Sequence, residues 1–361
     1  MTVRPLRVGF RCDAGQRAGV GHLVRCVALA EQLLAEGIEA VFLSDLGGVD
    51  WARRQLDARR LPVVDGPTTP DGLVAAARDL GLDAVVLDSY VLDAACGAAL
   101  RRADVPVLAV VDGDHRGQEA DLYLDQNLDA ELYPLDLPEG ATRLAGVRYA
   151  LLRDSVRRAR PASAPRARPD GPPRVLCFFG GTDAFDAAPV VAPLLIGTGV
   201  PLAATIVAGR PESREALAAL TPATGQAFEV IAPTDDLPAL VRAADVVVSA
   251  AGTSLWELLC LGAPAAVLWV VDNQRLGYDR VLAHGLAAGL GRLDELRAEG
   301  AARAKAVGEL RHLLRDPARR DILAGQGWKF IDGHGKRRVT EALLNVIVTM
   351  RSSRDLCYFP R

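Results

Sequence analysis

Gly19-Val20-Gly21-His22 is the segment of this chain best equipped for chemistry. It follows a short apolar stretch, Leu6–Phe10, and precedes a helical pattern from about Leu23 to Glu36. Small glycines let backbone N–H groups approach a ligand closely, and the helix N-terminus adds partial positive charge. That field disfavours a second positive charge on the ring, so His22 reads as a neutral imidazole able to accept a proton as a general base. The same residues also suit a loop histidine that merely caps a helix, and the short pattern does not choose between the two. Three residues on, Arg25 reads either as a ligand contact or as the partner of an acid such as Asp13.

A second constellation lies in Asp245-Val246-Val247-Val248-Ser249-Ala250-Ala251-Gly252-Thr253-Ser254-Leu255-Trp256-Glu257, which reads as strand, turn and helix. Serine and threonine at such a turn can cap the helix or donate to phosphate oxygens. Glu257 stands three residues past Ser254, the spacing of a capping box, and could equally accept hydrogen bonds from two ribose hydroxyls. Phe179-Gly180-Gly181-Thr182-Asp183 is another strand-to-helix turn able to approach a diphosphate. Neither segment is a Walker A loop, and the dinucleotide fingerprint GxGxxG is absent.

Both constellations must be held by regular elements. In the first half, apolar strand candidates at Leu6–Phe10, Ala40–Leu43, Leu61–Val64, Ala84–Leu87 and Val107–Val111 alternate with amphipathic helical stretches such as Leu73–Leu80 and Ala94–Arg102. The second half repeats the theme at Val175–Phe179, Ala203–Val207, Phe228–Ile231, Val246–Val248 and Ala265–Val270. Continuous apolar strands separated by helices indicate parallel sheets buried on both faces. Between the halves, 157–174 is rich in Pro, Arg and Ala without apolar periodicity and reads as an exposed linker. The expected organisation is a domain over 1–156, the linker, a second domain over 175–349 and a tail over 350–361. Two doubly wound α/β domains would face each other across a cleft, with ligands beyond the carboxyl ends of the strands.

Composition limits the alternatives. At 361 residues the chain suits two domains, and 50% hydrophobic residues supply their cores. A net charge of -3 with 5% aromatic residues argues against a nucleic-acid surface. The six cysteines have no CxxC pair and read as buried free thiols in a reducing compartment. Met1–Phe10 lacks the apolar region of a signal peptide, and the longest apolar run, Leu258–Val271, is broken by Gly262 and Pro264 and is too short to span a bilayer. A cytoplasmic location, no metal and no cofactor are expected; oligomeric state is not legible. His115 in a polar loop reads as solvent-exposed, and Trp256 as core.

The segment Ile231–Asn273 resembles the donor-nucleotide site of GT-B glycosyltransferases, in particular the lipid II-forming GlcNAc transferase. Its elements are an apolar strand ending near Ile231, Ala244-Asp245, Ser249-x-x-Gly252-Thr253, Glu257 and Gly262-x-Pro264. The resemblance implies that Gly252, Thr253 and Ser254 bind a diphosphate, that Glu257 binds ribose, and that Ile231 lines a uracil pocket. A wider resemblance covers nearly the whole chain. Arg11-x-Asp13, Gly19–Ala30, Asp88-Ser89-Tyr90, Asp125-Gln126-Asn127-Leu128, Tyr149-x-Leu151-Leu152-Arg153, Phe179–Asp183, the Gly252 turn, Asp272-Asn273-Gln274 and Ile331-Asp332-Gly333-x-Gly335 are similar, in order, to the nucleotide-sugar hydrolases of pseudaminic acid biosynthesis and related spore-coat polysaccharide proteins. That family hydrolyses a UDP-linked diacetamido trideoxy sugar at its anomeric carbon with inversion. By resemblance His22 activates the water, Tyr90 and Asn273 place the sugar or water, and Gly19, Gly21, Arg25, Gly180, Gly181, Thr182 and Gln274 join the substrate site. The chain departs from the family at Gly113, where a second acid usually follows Asp112, and in a longer linker and tail.

The leading expectation is a nucleotide-sugar hydrolase with a UDP-linked deoxy amino sugar as substrate. A diphosphate is already a good leaving group, so one base and a set of N–H donors suffice where glycosidases need two carboxylates. The rivals are a GT-B glycosyltransferase acting on a polysaccharide or specialised-metabolite acceptor, and a non-catalytic nucleotide-sugar binding protein.

Overall fold

A computed structural model describes residues 4–15, 20–168, 171–181 and 183–357, with side chains to residue 352. Gly19 and Thr182, both expected at the site, lie outside the described residues. The chain divides into two units, Met1–Asp154 with Gly333–Arg361, and Ser155–Asp332.

The first unit holds seven parallel strands: β1 (Arg7–Cys12), β2 (Glu39–Leu43), β3 (Val63–Val64), β4 (Ala84–Asp88), β5 (Val107–Val110), β6 (Leu122–Asp125) and β7 (Thr142–Ala145). Their order is β3-β2-β1-β4-β5-β6-β7. The second unit holds six: β8 (Arg174–Cys177), β9 (Leu202–Val207), β10 (Gln226–Ile231), β11 (Val246–Ala250), β12 (Ala265–Trp269) and β13 (Ala288–Arg292), in the order β10-β9-β8-β11-β12-β13. The β-branched and leucine-rich strands pair in parallel because helical crossovers cover both sheet faces. Each order reverses once, between β1 and β4 and between β8 and β11. Loops leaving the two strands at such a reversal diverge and open a crevice at the carboxyl edge.

Strands β6, β7 and β13 extend the sheets beyond the elements expected from the sequence. The chain's end also differs from expectation. Helix Gly335–Cys357 belongs to the first unit, although residues to 349 were assigned to the second domain and 350–361 to a tail. Val339, Leu343 and Ile347 sit in the first unit's core with Leu23, Leu33 and Leu124. Lys336, buried at the start of this helix, pairs with Asp154 Oδ1 at 2.7 Å and Glu31 Oε2 at 3.3 Å.

The 157–174 segment, expected as an exposed linker, has no buried residue among those described but is fastened to the second unit. Its first residues complete helix Asp154–Ala159. Arg160 donates to the carbonyls of Cys260 and Trp328, Ala167 N–H donates to Asp321, and Arg168 forks onto Asp245. Its prolines keep it extended, while its arginines fasten it to the second unit.

Candidate active site

His22 is the second residue of helix Gly21–Ala35, which leaves β1 at the reversal of the first sheet. Asp88 is the last residue of β4, the strand on the other side of that reversal. The two meet: His22 Nδ1 lies 2.5 Å from Asp88 Oδ1. Arg25, one helical turn beyond His22, reaches the same carboxylate with two donors, Nε to Oδ2 and Nη2 to Oδ1, both at 2.6 Å. Its Nη1 also donates to Asp112 Oδ1 at 3.1 Å. Arg25 therefore pairs with acids, though not with Asp13, the example the sequence offered; Asp13 accepts from Arg11 at 2.6 Å and from Asp45 N–H.

This geometry fixes the histidine tautomer. Asp88 is fully buried and Arg25 is 4% exposed. Burial alone would raise the Asp88 pKa, but the Arg25 charge and the His22 contact outweigh it and hold the carboxyl well below the usual carboxylate range. An ionised carboxylate only accepts, so Nδ1 carries the proton and donates it to Asp88. The Arg25 Nη2 approach to Nδ1 at 3.2 Å is then donor against donor, and the shorter Asp88 contact decides. In the neutral ring Nε2 then keeps its lone pair. His22 is therefore arranged as a base with an orienting carboxylate behind it.

Tyr90, two residues past Asp88, is 48% exposed and meets the His22 ring edge-on, with centroids 4.6 Å apart and planes at 90°. Its O–H donates to Asp112 Oδ2 at 2.5 Å. Burial of the phenol and the Asp112 charge raise its pKa far above the ordinary value, so Tyr90 stays a neutral donor and is no base. Burial also opposes ionisation of Asp112, but Arg25 prevails and lowers its pKa to about 2. Asn127 Nδ2 bridges Asp112 Oδ1 at 3.1 Å and Asp125 Oδ1 at 2.9 Å. Gly113, with φ near 80°, donates its N–H to Asp125 Oδ2 at 3.0 Å. Gly113 thus occupies a left-handed turn that a side chain would strain.

Asp88, Asp112 and Asp125 were not read as site residues from the sequence. They share one signal: each terminates an apolar run, Ala84–Asp88, Val107–Asp112 and Leu122–Asp125. Three adjacent parallel strands therefore deliver three carboxylates to one edge of the sheet. His115 differs from expectation as well: its ring is half-buried edge-on to Tyr123, 5.9 Å away.

In the second unit the expected residues gather at the corresponding edge. Gly180, with φ near 74°, and Gly181 follow β8; Gly252, Thr253 and Ser254 follow β11, across the reversal. Ile231 ends β10, and Asn273 and Gln274 lie in the 3-10 turn Asp272–Gln274 after β12. Gln274 Oε1 accepts from Val270 N–H at 3.0 Å, and a Cβ on Gly252 would stand 3.4 Å from Gln274 Nε2. Helix Ser254–Leu261 begins at Ser254, and Thr253 at the N-cap makes no side-chain cap. Ser254 is thus not the capping residue and Glu257, buried in the first turn, is one position too far along for a capping box. Gly252, Thr253 and Ser254 thus stand at a helix N-terminus, the position that suits an anion. Ser249 Oγ, on β11 just before this turn, is buried without a hydrogen-bond partner among the described residues. Trp256 is core, as expected.

Among the described residues no cluster of three or more His, Cys, Asp or Glu is placed to hold a metal ion. Cys12, Cys26, Cys96, Cys177 and Cys260 are buried free thiols. No described helix is long and apolar enough to cross a membrane.

No family model matches this chain, and no curated protein matches it. Solved structures do. MurG of Acinetobacter baumannii is 18% identical, with a TM-score of 0.70 over 94% of this chain and 100% of its own. The UDP-GlcNAc 2-epimerase of Neisseria meningitidis, solved bound to UDP-GlcNAc, is 14% identical with a TM-score of 0.61, covering 94% and 100%. The glycosyltransferase SnogD of Streptomyces nogalater is 18% identical with a TM-score of 0.57, covering 94% and 100%. At these identities the likeness is one of fold, and that fold is the two-unit, doubly wound GT-B architecture.

Proposed function

We propose that this protein is a nucleotide-sugar hydrolase that releases UDP from a UDP-linked deoxy amino sugar. The observation that carries the reading is the contact of His22 Nδ1 with Asp88 Oδ1 at 2.5 Å, which in a neutral ring directs the lone pair to Nε2. A water molecule attacks the anomeric carbon as His22 Nε2 takes its proton. The bond from that carbon to the diphosphate oxygen breaks, and its electron pair leaves on the diphosphate. Attack opposite the leaving group inverts the centre. Asp88 stabilises the imidazolium that forms, and Arg25 acts by keeping Asp88 ionised. Tyr90 and Asn273 take the role of placing the sugar or water, and Gly19 and Gly21 are assigned to substrate binding. The N–H groups of Gly252, Thr253 and Ser254, with Gly180, Gly181 and Thr182, take the diphosphate; Glu257 takes the ribose hydroxyls, and Gln274 and Ile231 complete the substrate site. Fold likeness to a UDP-GlcNAc 2-epimerase and a glycosyltransferase supports a nucleotide-sugar ligand.

A second reading, transfer of the sugar to an acceptor hydroxyl or amine, uses the same base and is favoured by the likeness to the Streptomyces glycosyltransferase. A panel of nucleotide sugars incubated without acceptor separates the two. Release of nucleotide and free sugar, identified by mass, supports hydrolysis; release only on adding an acceptor supports transfer; binding without turnover in either case supports neither. His22→Ala is expected to lower turnover by about 10²–10⁴-fold, the usual contribution of a general base. Unchanged turnover in that variant would remove His22 from the mechanism.

A further inference from the structure

We infer that Asp112 is a positioning residue for His22, acting on it through Tyr90 and Arg25. The inference rests on the reading of His22 as the base and deepens it.

Asp112 stands just beyond β5 and receives donors from three separate elements. Arg25 of helix Gly21–Ala35 donates Nη1 to Oδ1 at 3.1 Å and Nη2 to Oδ2 at 3.3 Å. Tyr90, from the turn after β4, donates its O–H to Oδ2 at 2.5 Å. Asn127, from the turn after β6, donates Nδ2 to Oδ1 at 3.1 Å. Two of these donors touch His22 or its partner. The Tyr90 ring stands perpendicular against the imidazole, and the Arg25 guanidinium grips both oxygens of Asp88, its Nη2 sharing Oδ1 with His22 Nδ1. Asp112 is thus the point where the ring and the grip are joined.

A half-exposed tyrosine has little else to hold its ring. Ser89 accepts from Val91 N–H and approaches Asp13 Oδ2 at 3.4 Å, which fixes the turn's backbone but not the phenol. Arg116 lies over the ring at 4.7 Å and restrains it on one face only. The hydrogen bond to Asp112 sets the remaining freedom, rotation and tilt of the ring toward His22. Positioning errors of about 1 Å are costly in catalysis, on the order of 10²-fold, so a residue that touches neither water nor sugar can still govern turnover.

The test uses Asp112→Asn and Tyr90→Phe, singly and together, with two readouts. The first is the His22 Nδ1–H resonance and ring nitrogen shifts, measured by NMR on the whole chain without substrate. The second is turnover of a nucleotide sugar, split into kcat and KM. Asp112→Asn is expected to shift or broaden the His22 Nδ1–H signal and to lower kcat at least tenfold while KM changes less than twofold. Tyr90→Phe is expected to do the same more weakly, and the double variant to be no worse than Asp112→Asn alone, because the Tyr90 contact is one of the two through which Asp112 acts. An unchanged His22 signal in Asp112→Asn overturns the inference. If that variant does not fold, an unchanged His22 signal in Tyr90→Phe overturns it instead. If the unmodified protein turns over no nucleotide sugar, the proposed function fails while the NMR readout still decides the role of Asp112.

Discussion

At the scale of single residues, Asp88 faces two partners with opposite consequences. Arg25 neutralises its buried charge; His22 uses that charge to hold a tautomer. Substitutions should separate the two roles. Among the described residues, Arg25→Ala leaves the fully buried carboxylate with the His22 ring and the Cys26 thiol as its side-chain partners. Uncompensated buried charges of this kind cost about 3–5 kcal/mol, which urea denaturation would register. Asp88→Asn removes the charge instead, so Arg25 keeps Asp112 and the stability loss should be the smaller of the two. The asparagine amide would however donate to His22 Nδ1, moving the ring proton to Nε2 and abolishing the base. In the serine-protease triad the corresponding change costs about 10⁴-fold in kcat, and a loss on that scale in nucleotide-sugar turnover is expected here. Equal effects of the two variants on stability would contradict this division of labour.

At the scale of elements, the strands with continuous Val, Leu and Ala were legible because burial on both faces leaves an unbroken apolar run. Those that escaped have interrupted signals. Strand β13 carries Gly289 and Gly291, and β7 carries Thr142 and Arg143, so neither has an apolar run to read. The helix positions of His22 and Arg25 were legible from spacing, but Arg25's partners were not. Asp88 and Asp112 lie 63 and 87 residues away in sequence, and only the parallel order β1-β4-β5 brings their strand ends beside it. The final helix was assigned to the wrong unit for the same reason, since its amphipathic pattern states that it packs but not on what. Its attachment is tight at Gly335, where a Cβ would fall 2.3 Å from the Ala150 carbonyl oxygen and 2.6 Å from its nitrogen. Both atoms are backbone and cannot step aside. Gly335→Ala is expected to destabilise the first unit by about 1–3 kcal/mol, as overpacking does, read as a lowered denaturation midpoint; an unchanged midpoint would show that the helix start can slide.

At the scale of the whole molecule, the two units own separate cores. The first cluster runs from Val8 through Leu151 and then takes in Val339, Leu343 and Ile347; the second runs from Val175 to Leu323. The repeated βα pattern made two doubly wound units legible, but the return of the chain's end to the first unit has no local signature. It makes the first unit dependent on residues that follow the second in sequence. Removing 333–361 exposes the face that Val339, Leu343 and Ile347 cover. At roughly 1.5–3 kcal/mol for each buried side chain, their loss together is comparable to the ~5–15 kcal/mol that stabilises a typical domain. It also strips Lys336 from Glu31 and Asp154, leaving two acids where an ion-paired cluster stood. The second unit's core contains none of these residues. Hydrogen exchange on the truncated chain should therefore show β1, β6 and helix Gly21–Ala35 losing protection while β8 and β11 keep theirs. Equal loss in both units would mean that their stabilities are coupled, and retained protection in β1 would mean that the helix is dispensable to the core it fills. Because the His22–Asp88 pair is built on β1, β4 and helix Gly21–Ala35, the same truncation should abolish turnover without altering the second sheet.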